Sequence, residues 1–160
     1  MTAEPKWLQI ALAEIGVKET PGPESTPRIL TYWRDGQPGW KTYGDDQPWC
    51  SVFLNWCMAQ AGIRGTGSPA ARSWLTWGVS VEPRVGAVTV VHARPRRNGL
   101  TTGSGYHVAL WMGQTDTWFT LLGGNQSNSV KTVGFPKDTW ELLATRWPES
   151  KYLDVINPTH

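Results

Sequence analysis

The chain has 160 residues, the length of a single domain that can bury a hydrophobic core of its own. Hydrophobic residues make up 39% and charged residues 18% of the sequence, which excludes a disordered tail. The net charge of +2 gives no compositional sign of nucleic-acid binding. The 11 tryptophans are the unusual feature, and they indicate either a tryptophan-rich core or a groove lined with flat rings.

Four helices are predicted in the first half of the chain. Residues 5–19 form an amphipathic helix, because apolar residues recur there with a period near 3.6. A shorter helix holds Ile29 to Trp33. The next helix begins at Pro48, a residue suited to a first helical position, and residues 69–77 form the last one.

After these helices the apolar period shortens toward two, which is typical of strands. Five strands are predicted, over residues 85–91, 106–112, 118–125, 129–135 and 142–147. Helices followed by an antiparallel sheet of about five strands predict the α+β class, with the helices packed on the sheet. We expect one domain over residues 1–160, with its core in 5–147 and a tail from 148 to 160.

Cys50 is the first candidate for chemistry. It lies near the start of the helix that begins at Pro48, where backbone N–H groups and the helix dipole lower the pKa of a thiol. Cys57 lies two turns further on, about 10 Å away, which is too far for a disulfide. We therefore predict no bridge between the two cysteines and at least one free thiol, with Cys57 a small buried hydrophobic residue.

A thiolate nucleophile needs a base, usually histidine, and there are three histidines. His107 opens a strand and can face the start of a helix packed across the sheet. His92 ends the preceding strand, and His160 is the last residue. His107 is the predicted base, and a hydrogen-bonded core histidine is the alternative.

The base needs a polar residue that orients its ring. If the second and third strands form a hairpin with His107 opposite Gly123, then Asn125 follows on the same face. Gln126 then points to the other face, although a one-residue slip in register would exchange the two. Asn125 is therefore the predicted orienting residue, and a turn residue is the alternative.

Acyl transfer also needs donors for the oxyanion. The backbone N–H of Cys50 is one, and Gln47 and Asp46 lie close enough in sequence to line the same site. Asp46 could instead cap the helix. Trp49 adjoins the nucleophile, and we assign it, with Gln126, to substrate binding.

Other chemistries fit less well. Two cysteines at this spacing do not match a zinc pattern, and no glycine-rich phosphate loop precedes a helix. Arg94, Arg96 and Arg97 read as a solvated turn. These patterns and the low net charge lead us to expect no metal, cofactor or nucleic-acid partner. No targeting segment and no apolar run of membrane-spanning length is found in this sequence, so no membrane insertion is expected.

The order of these residues resembles the papain-like peptidoglycan hydrolases, the CHAP and NlpC-type cysteine amidases and peptidases. The resemblance covers roughly residues 5 to 135 and is closest to a compact CHAP-like group of phage and proteobacterial proteins. It rests on Glu14-Ile15-Gly16-Val17-Lys18-Glu19, Pro27-Arg28-Ile29-Leu30, Pro48-Trp49-Cys50-Ser51-Val52-Phe53-Leu54-Asn55-Trp56, Ala71-Arg72-Ser73-Trp74, His107-Val108-Ala109 and Gly123-Gly124-Asn125-Gln126. One departure is Tyr106, which stands between Gly105 and His107 where the family reads Gly-His-Val.

The resemblance implies a papain-like fold with Cys50 as nucleophile, His107 as base and Asn125 as orienting residue. Members cut amide bonds in the peptide part of peptidoglycan, either next to N-acetylmuramic acid or within the stem peptide or cross-bridge, without a cofactor. A monomer of this kind, made in the cytoplasm, reaches the wall through a phage holin, a phage tail or a type VI apparatus. For a secreted toxin, an immunity protein is the expected partner.

Two alternatives remain open at this point. The first is a non-catalytic wall- or glycan-binding module that uses exposed tryptophans. For the hydrolase itself, some of Trp33, Trp40 and Trp49 are expected to wall the substrate cleft. The second is an intracellular thiol protein with an unrelated substrate.

Overall fold

Helices on one side of an antiparallel sheet make up the architecture. A computed structural model describes residues 4–19, 27–36, 49–95 and 105–149. The helices are α1 (Lys6–Ala13), α2 (Pro27–Gly36), α3 (Cys50–Gln60) and a 3-10 helix (Ala71–Thr76). The strands are β1 (Val79–Ser80), β2 (Val88–Ala93), β3 (Tyr106–Gln114), β4 (Trp118–Gln126), β5 (Ser129–Pro136) and β6 (Trp140–Trp147).

The predicted α+β class is confirmed, and all pairs of neighbouring strands in the sheet are antiparallel. The short strand β1 was not predicted. In the described parts of the chain, no helix has the length and apolar character needed to cross a membrane.

The first helix is shorter than predicted. It ends at Ala13, and Gly16 has a positive φ of 105°, so the chain turns toward the sheet. There Gly16 N–H donates to the carbonyl of Val130. As a result, Ile15, which the helical period placed on the buried face, is 48% exposed.

The strand order is β1-β6-β2-β3-β4-β5. The last strand in sequence therefore lies inside the sheet, between β1 and β2. Val88, Val90 and Val91 of β2 are fully buried, with side chains in the core on both faces of the sheet. This pattern is typical of a strand that is covered on both sides.

Helix α3 lies at the centre of the core. Every residue from Cys50 to Met58 is buried, because α1 and α2 pack on one side of the helix and strands β3 and β4 on the other. A helix that is covered all round needs no solvent-facing polar side, which explains why apolar residues occur around its whole circumference.

Glu14 ties the end of α1 to α2. Its carboxylate accepts bonds of 2.6 and 2.9 Å from Arg28 and one of 2.7 Å from the hydroxyl of Tyr32. Burial alone would raise the pKa of Glu14, but the hydrogen bonds from Arg28 and Tyr32 outweigh it and the pKa lies below its ordinary value. The carboxylate is therefore a stable negative charge beneath α3.

Most of the tryptophans belong to the core. Trp33 and Trp49, two of the three tryptophans from which cleft walls were expected, are 3% and 0% exposed, so neither of these two lines a cleft. Trp40 lies outside the described residues. Trp118, by contrast, is 45% exposed. The buried tryptophans are Trp7, Trp33, Trp49, Trp56, Trp74, Trp77 and Trp111, and Trp140 and Trp147 are half-buried.

Candidate active site

Cys50 is the first residue of α3, and Trp49 before it has non-helical backbone angles. The amide groups of a first helical turn have no partner within the helix, and the positive end of the helix dipole lies there. Cys50 is only 6% exposed, so its thiol is nearly enclosed. Its position therefore favours the thiolate form.

Gly124 of β4 lets this helix start approach the sheet closely. A Cβ atom on Gly124 would lie 2.6 Å from Cζ3 of Trp49 and 2.8 Å from Cβ of Phe53, distances that real side chains do not adopt. Gly124 is buried under the first turn of α3 as a result. Gly124 thus sets the distance between α3 and strand β4.

Trp49 anchors the helix start and does not line a cleft. Its side chain is fully buried, and Nε1 donates a hydrogen bond of 2.8 Å to Oε1 of Glu19. Its ring also lies 6.0 Å from that of Tyr32. The prediction that Trp49 binds substrate is corrected, because every face of the ring is covered by the protein.

A buried polar network, which the sequence reasoning did not identify, holds the first turn of α3 from the other side. The Ser51 hydroxyl donates a hydrogen bond of 2.8 Å to the Ser68 carbonyl and accepts one of 2.8 Å from Nε1 of Trp74. Nδ2 of Asn55 donates to the same carbonyl and to Oγ1 of Thr66, at 3.1 and 3.3 Å. The only sequence signal was that Ser51, Asn55 and Trp74 all fall in the quoted motifs.

Strands β3 and β4 separate next to Cys50. Their pairing runs from Gln114 opposite Phe119 to Leu110 opposite Leu122 and goes no further toward the start of β3. The backbone N–H of Val108 lies in the unpaired stretch and donates to the thiol of Cys50. The opening of the ladder therefore supplies the sulfur with a second backbone donor besides Ser51 N–H.

His107 lies beside the sulfur, as predicted. Its ring stacks on that of Phe135, with centroids 5.4 Å apart and planes at 24°. The imidazole is hydrogen-bonded to the Cys50 thiol and, through Nε2, to Oε1 of Gln126 at 2.9 Å. Since Nε2 faces the glutamine, Nδ1 is the nitrogen left for the sulfur.

The side-chain amide of Gln126 is oriented by its other bonds. Its nitrogen donates to the carbonyls of Leu121 and Lys131, at 3.2 and 2.6 Å. The amide oxygen is then the atom that faces His107, and an oxygen can only accept. Nε2 of His107 must therefore carry a hydrogen, which leaves Nδ1 free to take the thiol proton.

Gln126, and not Asn125, is the residue that faces His107, so the sequence prediction is corrected. Strand β4 has one extra residue between Gly123 and Gln126 relative to β5, a bulge in which Asn125 takes a left-handed φ of 57°. The extra residue shifts the register by one, so the side chain of Gln126 takes the place that was predicted for Asn125. The β3–β4 alignment also differs from the predicted one, by two residues at Leu110 and by three at Gly113.

Cys50 and His107 shift each other's ionisation. Burial alone would raise the pKa of Cys50, but the positive charge and hydrogen bond of His107 and the N–H groups of Val108 and Ser51 lower it below the ordinary thiol value. Burial likewise would lower the pKa of His107, yet the charge of Cys50 and bonds to Cys50 and Gln126 raise it. The geometry thus favours a thiolate–imidazolium pair.

Cys57 has the opposite character. It is fully buried, and burial together with the nearby charge of Glu14 raises the pKa of its thiol well above the ordinary value. Both cysteines are free, which confirms the prediction that they are not bridged to each other. The chain therefore has one thiol set up to ionise and a second, on the same helix, that serves as its internal control.

We expect the alkylation of Cys50 by iodoacetamide to continue at pH values below those at which an ordinary thiol, with a pKa of about 8.5, stops reacting. The sign follows from the lowered pKa of Cys50, which keeps the thiolate present as the pH falls. The measurement is the rate of modification of the native protein against pH, by mass spectrometry. Comparing rates across pH removes the effect of the small exposed fraction of the thiol.

The Cys57→Ala variant should show the same profile. In His107→Ala the midpoint should rise, because burial then acts on the thiol without the opposing charge. A wild-type midpoint at or above about 8.5 would contradict the assignment of a charged pair.

Other predicted residues lie apart from the pair or outside the described residues. The His92 ring contacts the ring of Tyr106, 4.6 Å away, and packs over Gly105, where a Cβ would lie 2.9 Å from its Nε2. Gly105 also has a positive φ of 78°, so a glycine is needed one residue earlier than in the family pattern. Asp46 and Gln47 lie outside the described residues, and so does His160.

Within the ranges that the structure describes, no group of three or more His, Cys, Asp or Glu side chains could hold a metal ion. A comparison with models of known protein families gave no match, and a comparison with curated protein sequences gave none either. The site is thus characterised by its own geometry, a buried thiol, an imidazole at its side and a glutamine hydrogen-bonded to the imidazole.

Proposed function

We propose that the chain is a papain-like cysteine hydrolase that cuts an amide bond in the peptide part of bacterial peptidoglycan. The observation that carries the catalytic part is the hydrogen-bonded series Cys50–His107–Gln126 at the start of a buried helix. The substrate class rests on the resemblance of the sequence motifs to the CHAP and NlpC-type hydrolases. A helix start packed on an antiparallel sheet is consistent with a papain-like arrangement.

In the proposed reaction, the Cys50 thiolate attacks the carbonyl carbon of the scissile amide and forms a tetrahedral oxyanion. The backbone N–H of Cys50 is the donor available to that oxygen. His107 gives the proton on Nδ1 to the amide nitrogen, the C–N bond breaks and the amine leaves. His107 then takes a proton from water, and the hydroxide attacks the carbonyl carbon of the thioester. The C–S bond breaks, the carboxylic acid leaves as the second product, and the Cys50 thiolate and His107 imidazolium are restored.

Gln126 has a separate task in this scheme. While Nδ1 gains and loses its proton, Nε2 keeps its own hydrogen bonded to Oε1 of the glutamine. The bond holds the plane of the ring and favours the imidazolium form during proton transfer. Gln126 thus takes the role that the sequence assigned to Asn125.

Access to the wall is part of the same proposal. A monomer delivered by a phage holin, a phage tail or a type VI apparatus would meet peptidoglycan outside the cytoplasm. If delivery is by a secretion apparatus, we expect a cognate immunity protein that closes the Cys50 site.

Digestion of purified peptidoglycan, followed by mass spectrometry of the soluble fragments, tests the proposal. We expect fragments that have each gained one water at an amide bond. A free N-terminal alanine on an intact stem identifies an amidase, and a shortened stem or opened cross-bridge identifies an endopeptidase. Wall that stays intact beside a protein whose Cys50 is alkylated at low pH would instead indicate a thiol enzyme with another substrate.

A further inference from the structure

A second pocket lies at the end of β4 away from the candidate active site. Eight residue steps separate Trp118, which opens β4, from Gln126, so the two sites are about 26 Å apart along the strand. The pocket has a volume of about 400 Å³, within the range of small-ligand sites. Its lining comes from the β3–β4 and β5–β6 turns, Asp116, Thr117, Trp118, Pro136, Lys137 and Asp138.

The exposed ring of Trp118 forms the apolar wall of this pocket. Trp118 pairs across the strands with Pro136, and a Cβ atom on Gly134 would lie 2.9 Å from Cε3 of the ring. One face of the indole therefore covers the glycine backbone of the edge strand. The ring is nevertheless 45% exposed, so its other side offers a fixed, flat surface to a ligand.

The two turns that frame the pocket are joined to each other. The N–H of Lys137 donates to the carbonyl of Thr117 at 2.9 Å, and its Nζ donates to Oε1 of Gln114 at 2.9 Å. The same Nζ lies 5.2 Å from the centre of the Phe119 ring. The pocket is thus formed before any ligand arrives, and its one lysine is already engaged.

Two carboxylates at the rim of the pocket remain available as acceptors. Asp116 and Asp138 make no hydrogen bond or ion pair with the residues that the structure describes, and both line the pocket beside the indole. A flat aromatic ring with hydrogen-bond acceptors around it matches a pyranose, which has an apolar C–H face and a rim of hydrogen-bond donors. The ring's C–H face packs on the indole while its hydroxyl and amide N–H groups donate to the carboxylates.

We infer that this Trp118 pocket binds a glycan chain of neutral pyranose sugars. The identification of that chain with the glycan strand of peptidoglycan rests on the proposed function, while sugar binding does not. Strand β4 then carries both sites, Gln126 at one end and the sugar platform at the other. Binding here holds the polymer while a peptide attached to it is cut elsewhere.

The test uses the full chain with Cys50→Ala, so that binding is measured without cleavage. The probe is a soluble N-acetylglucosamine tetramer, followed through the indole N–H signals in a ¹H–¹⁵N spectrum. We expect the Trp118 signal, identified by its absence in Trp118→Phe, to shift on titration. Trp118→Ala should weaken binding at least tenfold, and Glu82→Gln, an exposed carboxylate outside the pocket, should leave it unchanged.

Loss of the ring exposes Gly134, so the fold of Trp118→Ala must be checked by its melting temperature. The Asp116→Asn, Asp138→Asn double variant keeps the ring and should still bind several-fold more weakly. A tetramer that binds equally well to folded Trp118→Ala, or that shifts only signals near α3, overturns the inference. The inference is also overturned if a sugar-free stem peptide binds more tightly than the tetramer and its binding weakens with salt. The carboxylates of the pocket would then bind the peptide's amino groups.

Sedimentation with purified cell walls separates this inference from the proposed function. If the wild type releases no fragments but Cys50→Ala protein sediments with the wall in a Trp118-dependent way, the pocket is a glycan site and the catalytic proposal is wrong. If fragments appear and Trp118→Ala changes neither sedimentation nor tetramer binding, the catalytic proposal stands and the pocket is not a glycan site.

Discussion

Replacing Cys50 by alanine is expected to abolish the release of peptidoglycan fragments, with a rate lowered at least about 10³-fold. Among the described residues of the proposed site, the Cys50 thiolate is the group that can form the acyl intermediate. Without it, water meets an unactivated amide. The measurement is the amount of new fragment per unit time from purified wall. Because Cys50 is nearly enclosed and small, the variant should fold as the wild type does.

The matched control is Cys57→Ala on the same helix. Cys57 is fully buried, and its thiol has a pKa raised well above the ordinary value, so it takes no part in the chemistry. Fragment release should stay near the wild-type rate once circular dichroism shows the protein folded. Activity lost with Cys57→Ala and kept with Cys50→Ala would assign the nucleophile to the wrong thiol.

Gln126→Leu is expected to lower kcat by about 10²-fold with little change in KM. Leucine has nearly the same size but cannot accept the hydrogen of Nε2, so His107 loses the bond that holds its ring and favours its charged form. The same loss weakens the interaction that keeps the Cys50 thiolate present. The midpoint of Cys50 alkylation should therefore move to higher pH, which a general loss of stability would not produce.

Asn125→Gly is the control for this variant. It removes the neighbouring side chain, yet glycine adopts the left-handed φ of 57° without strain, so the bulge is kept. We expect kcat and the alkylation midpoint to stay close to those of the wild type. If Asn125→Gly impairs the enzyme as much as Gln126→Leu does, the orienting role belongs to Asn125.

Local pattern was enough to predict much of this molecule. The apolar run after Pro48 predicted α3, and a cysteine at a helix start already implied a perturbed thiol. His107 could be chosen over His92 because it opens a strand inside the sheet. These properties depend on residues close together in sequence, where the helical and strand periods are clear.

The features that were wrong or missed depend on how distant segments align. The bulge at Asn125 is a choice between two registers that differ by one residue, and no local preference distinguishes them. The network of Ser51, Asn55 and Trp74 joins a helix to a loop, so its bonds become visible only with the fold. Trp49 was misassigned for a similar reason, since its neighbour Glu19 is 30 residues earlier in the chain.

The position of β6 limits the order in which the strands can pair during synthesis. Strand β2, with its fully buried valines, has β3 on one edge and β6 on the other, and β1 pairs with β6. During synthesis, β2 to β5 can emerge and pair while the second edge of β2 stays open. An open edge of this kind is a site for pairing with other chains. Folding of the sheet is completed only when residues 140–147 arrive, which makes the last described strand the closing step of assembly.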